Sequence, residues 1–311
     1  QEGGKSASII AGAEGQGLQC RSPERLALTV GHIVEVEDLN RRWRRRVYDG
    51  TEVLSSQLRA AAMLMDRVAG DLLTPEKTPV FSMPRKIGYD IGVAGKNKKG
   101  AVVSGDTVLA REIRNNRLLL ALSDGMGAGA PAAGESRTTV ELVEMLMDAG
   151  FDRDTTVKTV NSVMMTRSNG EAFATLDMGL VDLVTGDAEF VKIGACPSFI
   201  KRGNEVSVIK AQSLPVGILA NIPIEAIPRT LVPGDVLVMV TDGVLQARKD
   251  PSPKESWVAS FISRTRWGSP QDLAEKILER SLGGASRGAG TQQKEASDDM
   301  TVLCVAFHPV Q

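Results

Sequence analysis

Two stretches of the chain share one pattern: an uninterrupted apolar run followed by a hydroxyl residue, an aspartate and a glycine. Leu118–Leu122 leads into Ser123-Asp124-Gly125, and Val236–Val240 leads into Thr241-Asp242-Gly243. A short apolar run of this kind is typical of a buried β-strand. We expect the glycine to let the backbone turn sharply after each strand. The pattern therefore predicts two buried strands that each end in a carboxylate.

Further aspartates lie next to predicted strands, one after Gly105 and others in the pair Asp298-Asp299. Because carboxylates repel one another, a fold that gathers them usually does so around cations, and hard cations prefer oxygen ligands. Two such ions about 4 Å apart can activate a bridging water for attack on phosphorus. We therefore expect two Mg²⁺ or Mn²⁺ ions to be held by Asp106, Asp124, the carbonyl of Gly125, Asp242 and Asp298.

Composition narrows the chemistry further. The 37 basic and 38 acidic residues nearly cancel, so no bulk field favours nucleic acid or a membrane surface. The only histidines, His32 and His308, are poorly placed for a catalytic triad or a histidine zinc site. Cys20, Cys196 and Cys304 form no CxxC pair, which predicts free thiols in a reducing compartment.

The chain is predicted to have three parts. Residues 1–22 are rich in Gly, Ala and Ser and are expected to be flexible. Residues 23–81 form a helical regulatory or linker segment, in which mostly apolar residues recur every three or four positions between Ile33 and Leu72. This seam suits either a homodimer contact or packing within the chain. Residues 82–311 form the third part.

Strand and helix patterns alternate in residues 82–311. Strands are expected at 87–93, from 101 and over 300–307, with a β-meander in the middle and helices at about 134–149, 154–168, 254–266 and 270–282. This order predicts an α/β layered domain with mostly antiparallel sheets.

Two other functions stay open. The segment from Gly125 through Gly127 to Ala130 matches the dinucleotide-binding fingerprint, with alanine in the third position. The acidic residues near the ribose-binding offset, Glu144 and Asp148, fall inside a predicted helix, so the βαβ unit is incomplete. A dinucleotide-binding oxidoreductase is one alternative, and a non-catalytic dimeric signalling module is the other.

The ordered motifs resemble those of the PPM-type metal-dependent serine/threonine phosphatases. The resemblance rests on Gly105-Asp106, Ser123-Asp124-Gly125-Met126-Gly127, Thr241-Asp242-Gly243 and Asp298-Asp299-Met300-Thr301-Val302. Other segments are similar to the bacterial stage II sporulation protein E family: Asn161-Ser162-Val163, Thr175-Leu176-Asp177-Met178, Pro197 through Asn204, and Leu214 through Leu219. The resemblance covers about residues 82–307, and 53–73 resembles the family's helix just upstream.

The resemblance implies two stacked, mostly antiparallel β-sheets flanked by α-helices, with metal ions between the sheet ends. By motif position it implies the five metal ligands named above, with catalysis by Asp106, Asp124 and Asp242. It implies a phosphoserine substrate on an anti-sigma factor antagonist, whose hydrolysis activates a sporulation sigma factor. The family protein has an N-terminal membrane region that this sequence lacks, which implies a location at the cytoplasmic face of the membrane.

This sequence departs from the wider family at two positions of the expected active site. Met126 stands where many eukaryotic relatives have a histidine assigned as general acid. No phosphate-binding arginine is obvious before Asp106, and Arg85 is only a candidate. The two helices after Asp124 resemble a regulatory switch that the upstream helix can reposition.

Overall fold

The computed structural model describes residues 85–127, 129–167, 173–219, 222–247, 254–283 and 295–310, with Thr29, His32, Ile33, Val36 and Glu37. The chain divides into two compact units, residues 1–80 and 81–311. In the first unit the five described residues are helical and exposed. The predicted flexible segment 1–22 and the rest of the helical seam lie outside the described residues. The predicted domain limits therefore stay a prediction.

The described part of the second unit has ten strands and five helices. They are β1 Ile87–Lys96, β2 Asp106–Ile113, β3 Arg117–Asp124, α1 Ala130–Asp148, α2 Arg153–Thr166, β4 Leu176–Asp182, β5 Asp187–Ile193, β6 Ser198–Arg202, β7 Glu205–Ile209, β8 Ile227–Thr230, β9 Val236–Val240, α3 Asp242–Gln246, α4 Lys254–Arg264, α5 Pro270–Ser281 and β10 Met300–Pro309.

The largest local difference from the sequence prediction precedes β2. Residues 101–103 were expected to begin a strand, and this prediction is wrong, because the strand begins at Asp106. The backbone N–H of Gly105 donates to the Asp299 carboxylate, and that of Asp106 donates to the Ser104 hydroxyl. Because side chains accept these backbone N–H groups, the segment before Asp106 forms a loop and does not pair with another strand.

Two five-stranded sheets form the centre of the unit. Sheet I has the order β1-β10-β9-β6-β7, and sheet II has the order β2-β3-β4-β5-β8. All the strand pairs in the described residues are antiparallel. The predicted fold of two antiparallel sheets with flanking helices is confirmed.

The apolar runs are uninterrupted because both faces of these strands are covered. In β3, Leu118, Leu120 and Leu122 pack between the sheets, whereas Leu119 packs toward α1 and α2. The run in β9 alternates in the same way between the inter-sheet core and a third cluster that includes residues of α3, α4 and α5. The result is a helix–sheet–sheet–helix sandwich, in which side chains of a strand point alternately to the two covered faces.

Candidate active site

Carboxylates from both sheets meet at one end of the sandwich. Asp106 begins β2 and Asp124 ends β3, and the two are direct register partners in sheet II. Asp242 follows β9 of sheet I as the first residue of α3. The Thr241 hydroxyl donates to Oδ2 of Asp106 at 2.9 Å and so connects the two sheets. The predicted convergence of Asp106, Asp124 and Asp242 is therefore present in the fold.

Burial and mutual repulsion raise the pKa values of two of these carboxyls. Burial is the largest cause of a pKa of about 8 at Asp124, and Asp106, Asp242, Asp298 and Asp299 add to it. Burial also raises the pKa of Asp106 to about 6, although the neighbouring hydroxyls of Thr301 and Thr241 oppose the shift. The cluster stores electrostatic repulsion that a bound cation would relieve.

The hydroxyl residue of each repeated tripeptide bonds to a neighbouring segment at the carboxylate end of the sandwich. The Ser123 hydroxyl donates to the Thr175 carbonyl at 2.6 Å, and the Asp124 N–H donates to the Thr175 hydroxyl at 2.9 Å. In the second tripeptide, the Thr241 hydroxyl accepts the N–H of Thr301 at 2.9 Å. Sequence reasoning gave these hydroxyls no role, although their recurrence before both Asp-Gly pairs was the available signal.

The glycine of each tripeptide is required by close backbone approach. Neither Gly125 nor Gly243 is among the described glycines with positive φ, so a left-handed turn is not the reason for glycine there. A Cβ on Gly125 would lie 1.9 Å from the carbonyl oxygen of Ala132, and one on Gly243 would lie 2.1 Å from that of Asp299. Each glycine therefore lets the backbone of another segment pack directly against a strand end.

The adjacent residues Asp298 and Asp299 have different environments. Asp299 is buried, and its carboxylate accepts the backbone N–H groups of Lys98 at 2.8 Å and Gly105 at 2.9 Å. Asp298 has a side chain 50% exposed, and its Oδ1 lies 3.2 Å from the Lys98 ammonium. Because Asp299 already holds the β1–β2 loop, Asp298 is the better candidate for a ligand, and a cation there would compete with Lys98.

A pocket of about 70 Å³ adjoins the carboxylates. Asp124, Asp242, Thr175, Asp177 and Cys196 are among its lining residues. Burial, followed by the nearby Asp242 carboxylate, raises the pKa of the Cys196 thiol to about 12, so the thiol stays protonated at neutral pH. The sequence pattern predicted no role for Asp177, although a polar residue within an apolar strand was an available signal.

Arg85 lies away from this end of the sandwich. Its guanidinium contacts Glu112 and Asn116, at the end of β2 opposite to Asp106. Its position therefore does not support Arg85 as the phosphate-binding candidate. Met126 remains close to the site, with its N–H bonded to the Phe173 carbonyl and its side chain half-exposed.

The donor set suits a hard divalent cation that keeps water ligands. Oδ1 of Asp106 is buried and accepts no hydrogen bond from the described residues. Within the described ranges, no three acidic, histidine or cysteine side chains form a ready-made cage around one point. Mg²⁺ is commonly held by one or two carboxylates with several waters rather than by an all-protein cage. The residues present therefore fit such an ion.

Comparisons with known proteins agree with this architecture. Residues 114–308 match the family model for stage II sporulation protein E (SpoIIE), more than half of the chain. The chain belongs to the SpoIIE family. Stage II sporulation protein E of Bacillus subtilis (strain 168) is 33% identical over 225 residues, which are 72% of this chain and 26% of that protein. This chain thus spans about a quarter of the length of that relative.

Solved structures extend the comparison. The PP2C phosphatase domain with a fragment of the regulatory domain of SpoIIE from Bacillus subtilis has a TM-score of 0.66 at 32% identity, covering 73% of this chain and 65% of that one. RsbX in complex with magnesium has a TM-score of 0.53 at 16% identity, covering 72% and 100%, and shows the fold alone. The SpoIIE-family unit is thus a PP2C-type phosphatase fold.

The described residues do not form the βαβ unit that a dinucleotide-binding oxidoreductase requires. In the described residues, the strand that follows α1 and α2 is β4, which pairs antiparallel with β3. The βαβ fingerprint needs a parallel second strand. The glycine-rich segment instead leads into α1, whose N-cap Gly129 has a φ of 72° and whose first turn contains proline. This cap also explains why the helix begins at Ala130, earlier than expected.

None of the helices in the described part of this SpoIIE-family chain is both long and apolar enough to span a membrane.

We predict that the metal-free protein loses stability as pH rises. Asp106 and Asp124 have folded-state pKa values of about 6 and about 8, above the ordinary 3.8 of an unfolded chain. The folded state therefore binds more protons than the unfolded state above pH 3.8, and this stabilisation disappears as pH rises through about 6 and about 8. Thermal unfolding in chelator at increasing pH is the measurement.

Mn²⁺ should weaken this pH dependence, because a bound cation offsets the charge that ionisation creates. The matched control is Asp124→Asn, which removes the more strongly shifted group and should flatten the metal-free profile. A melting temperature of the metal-free wild type that rises through the same interval would contradict the clustered carboxylates.

Proposed function

We propose that this chain is a Mn²⁺- or Mg²⁺-dependent protein serine phosphatase. The observation that carries the proposal is the meeting of carboxylates from both sheets, with raised pKa values at Asp106 and Asp124. Such a cluster is unfavourable in the free protein, and it becomes favourable when divalent cations bind. The PP2C-type fold of the family supports the same reaction class.

The ligands in this proposal are the predicted ones: Asp106, Asp124, the carbonyl of Gly125, Asp242 and Asp298. When bound, the two ions supply an activated water and neutralise charge on the phosphoryl group. Thr241 orients Asp106 through its hydroxyl, and Thr175 fixes the backbone of Asp124 from both sides, since its own N–H also donates to the Asp124 carbonyl at 2.8 Å. These contacts hold the proposed ligands before any ion arrives.

Protonation of the leaving group does not involve histidine in this proposal. His308 lies opposite Gly88 in the β1–β10 register, at the other end of β10 from Asp298. The position that carries histidine in many eukaryotic relatives is Met126, which has no proton to donate. The leaving serine alkoxide would therefore take its proton from water in the site.

The substrate in this proposal is a phosphoserine on an anti-sigma factor antagonist, and its hydrolysis would activate a sporulation sigma factor. Family membership supports this choice. We also propose that the protein lies at the cytoplasmic face of the membrane and binds no nucleic acid. We further propose that it forms a homodimer through the helical segment 23–81. The homodimer proposal is supported by the apolar seam, in which the described residues Ile33 and Val36 are exposed.

The test is phosphate release from a phosphoserine protein with and without Mn²⁺, run beside a titration with NAD(H). Metal-dependent release without NAD(H) binding is the expected result. Binding of NAD(H) without phosphate release would favour the oxidoreductase, and neither activity would favour the non-catalytic module. Asp90→Asn is a suitable control, because this carboxylate is 70% exposed on β1 and belongs to no part of the proposed site.

A further inference from the structure

A buried ion pair lies beside the pocket and has no part in the chemistry described above. Lys192 of β5 is fully buried, and Asp177 of β4 is 2% exposed. The Lys192 ammonium donates to Oδ2 of Asp177 at 2.6 Å, to the Cys196 carbonyl at 2.6 Å and to the Ser198 hydroxyl at 2.8 Å. All three of its donors are therefore satisfied. The Ser198 hydroxyl in turn donates to the same Asp177 oxygen at 2.7 Å.

These three residues connect the two sheets. Asp177 and Lys192 face each other in the β4–β5 register of sheet II, whereas Ser198 begins β6 in sheet I. Through its bond to the Cys196 carbonyl, Lys192 also holds the segment that leads into β6. We call the set Asp177, Lys192 and Ser198 the cross-sheet network.

The cross-sheet network lies between the two halves of the carboxylate cluster. Asp177 is the register partner of Leu122, two residues before Asp124 in β3. On the other side, Ser198 precedes Phe199, which pairs with Val238 in β9, four residues before Asp242. Asp177, Asp124 and Asp242 also line the same pocket. The network thus joins β4 to β6, and these strands pair with β3, which ends at Asp124, and with β9, which precedes Asp242.

Stability alone does not account for this network. A buried ion pair loses hydration that its attraction often fails to offset, and replacing such a pair by apolar residues is frequently neutral or stabilising. Burial lowers the pKa of Lys192, while the Asp177 carboxylate opposes that shift. Oδ1 of Asp177 is also buried without a partner among the described residues, which is a further cost. An apolar contact between the sheets would avoid these costs but would not fix their spacing by directional bonds.

We propose that the cross-sheet network is a positioning device that sets the spacing between the Asp106–Asp124 and Asp242 halves of the metal site. The proposal rests on the metal site of the proposed function. Divalent cations need oxygen ligands at defined distances, so a small relative movement of the sheets would weaken binding. Lys192 and Ser198 act here through the strands they join, without touching metal or substrate.

The test is Mn²⁺ binding to the metal-free chain, measured by calorimetry, with thermal unfolding measured in parallel. Ser198→Ala removes the hydroxyl between the sheets and leaves the ion pair in place. The double variant Asp177→Leu/Lys192→Met removes the pair without leaving one buried charge uncompensated. We expect each to bind Mn²⁺ about tenfold more weakly, as when residues that support metal ligands are changed.

The matched control is Arg202→Gln at the opposite ends of β6 and β9. Arg202 pairs with the buried Asp235 through two bonds of 2.7 Å and donates to the Thr230 carbonyl of β8, so it also connects the sheets. We expect this variant to melt at a lower temperature with unchanged Mn²⁺ affinity.

Three outcomes would overturn the proposal. Mn²⁺ affinity of Ser198→Ala equal to that of the wild type would refute it, whether or not the double variant folds. An equal loss of affinity in Arg202→Gln would also refute it, because the effect would then reflect general destabilisation. If the wild type binds no Mn²⁺, the proposed metal site itself fails. Weaker binding in Ser198→Ala but not in Arg202→Gln supports it.

Discussion

Asp124→Asn should reduce Mn²⁺-dependent hydrolysis of a phosphoserine protein by about a thousandfold or more while leaving the fold intact. The carboxylate is a proposed metal ligand, and metal-ion stabilisation of transition-state charge is worth several kcal/mol, which corresponds to roughly this factor in rate. Asparagine has nearly the same shape, and the backbone bonds of Asp124 to Thr175 do not involve the side chain that is changed. Steady-state kinetics and circular dichroism measure the two effects.

The same substitution should not destabilise the metal-free protein. Burial and neighbouring carboxylates raise the pKa of Asp124 to about 8, so ionisation of this group opposes folding as pH rises through that value. Removal of the charge should therefore raise the melting temperature in chelator above pH 8. Near-normal turnover, or a metal-free melting temperature well below that of the wild type, would contradict the proposed site. Asp90→Asn, an exposed change on β1, should leave both quantities unchanged.

The apolar runs could be predicted from the sequence because burial on both faces leaves a local pattern. Leu118–Leu122 and Val236–Val240 are strands in the structure and end at the carboxylates, as expected. The order of the motifs was also sufficient to identify the family. Local pattern and overall fold agree in these segments, which is typical of natural sequences.

Other features depend on contacts between distant segments and leave little local signal. Val102 and Val103 resemble the start of a strand, but the pairing of Gly105 with Asp299, 194 residues away, makes the segment a loop. The pairing of Lys192 with Asp177 depends on strand register, which a single sequence does not determine. The different roles of Asp298 and Asp299 likewise follow from the position of the β1–β2 loop.

Gly125→Ala should destabilise the protein by about 3 kcal/mol, because overpacking of a tightly packed site costs up to this amount. The new Cβ would lie 1.9 Å from the carbonyl oxygen of Ala132 and 2.6 Å from its carbonyl carbon. Backbone atoms cannot rotate away as a side chain can, so α1 or the segment after β3 must shift. In a domain of this size the loss corresponds to a fall of roughly 10 °C in melting temperature. Mn²⁺ affinity should fall as well, since Gly125 adjoins Asp124 and is itself a proposed ligand.

Gly134→Ala is the matched control, because the same methyl group is added to α1 where nothing lies within 4 Å of the new Cβ. Alanine is a better helix former than glycine by about 1 kcal/mol, so this variant should be slightly more stable than the wild type. A lower stability of Gly125→Ala than of Gly134→Ala would show that the close contact at Gly125, and not the loss of glycine flexibility, causes the destabilisation. If Gly125→Ala melts like the wild type and binds Mn²⁺ normally, then α1 is not held against the strand end, and the site does not depend on this contact.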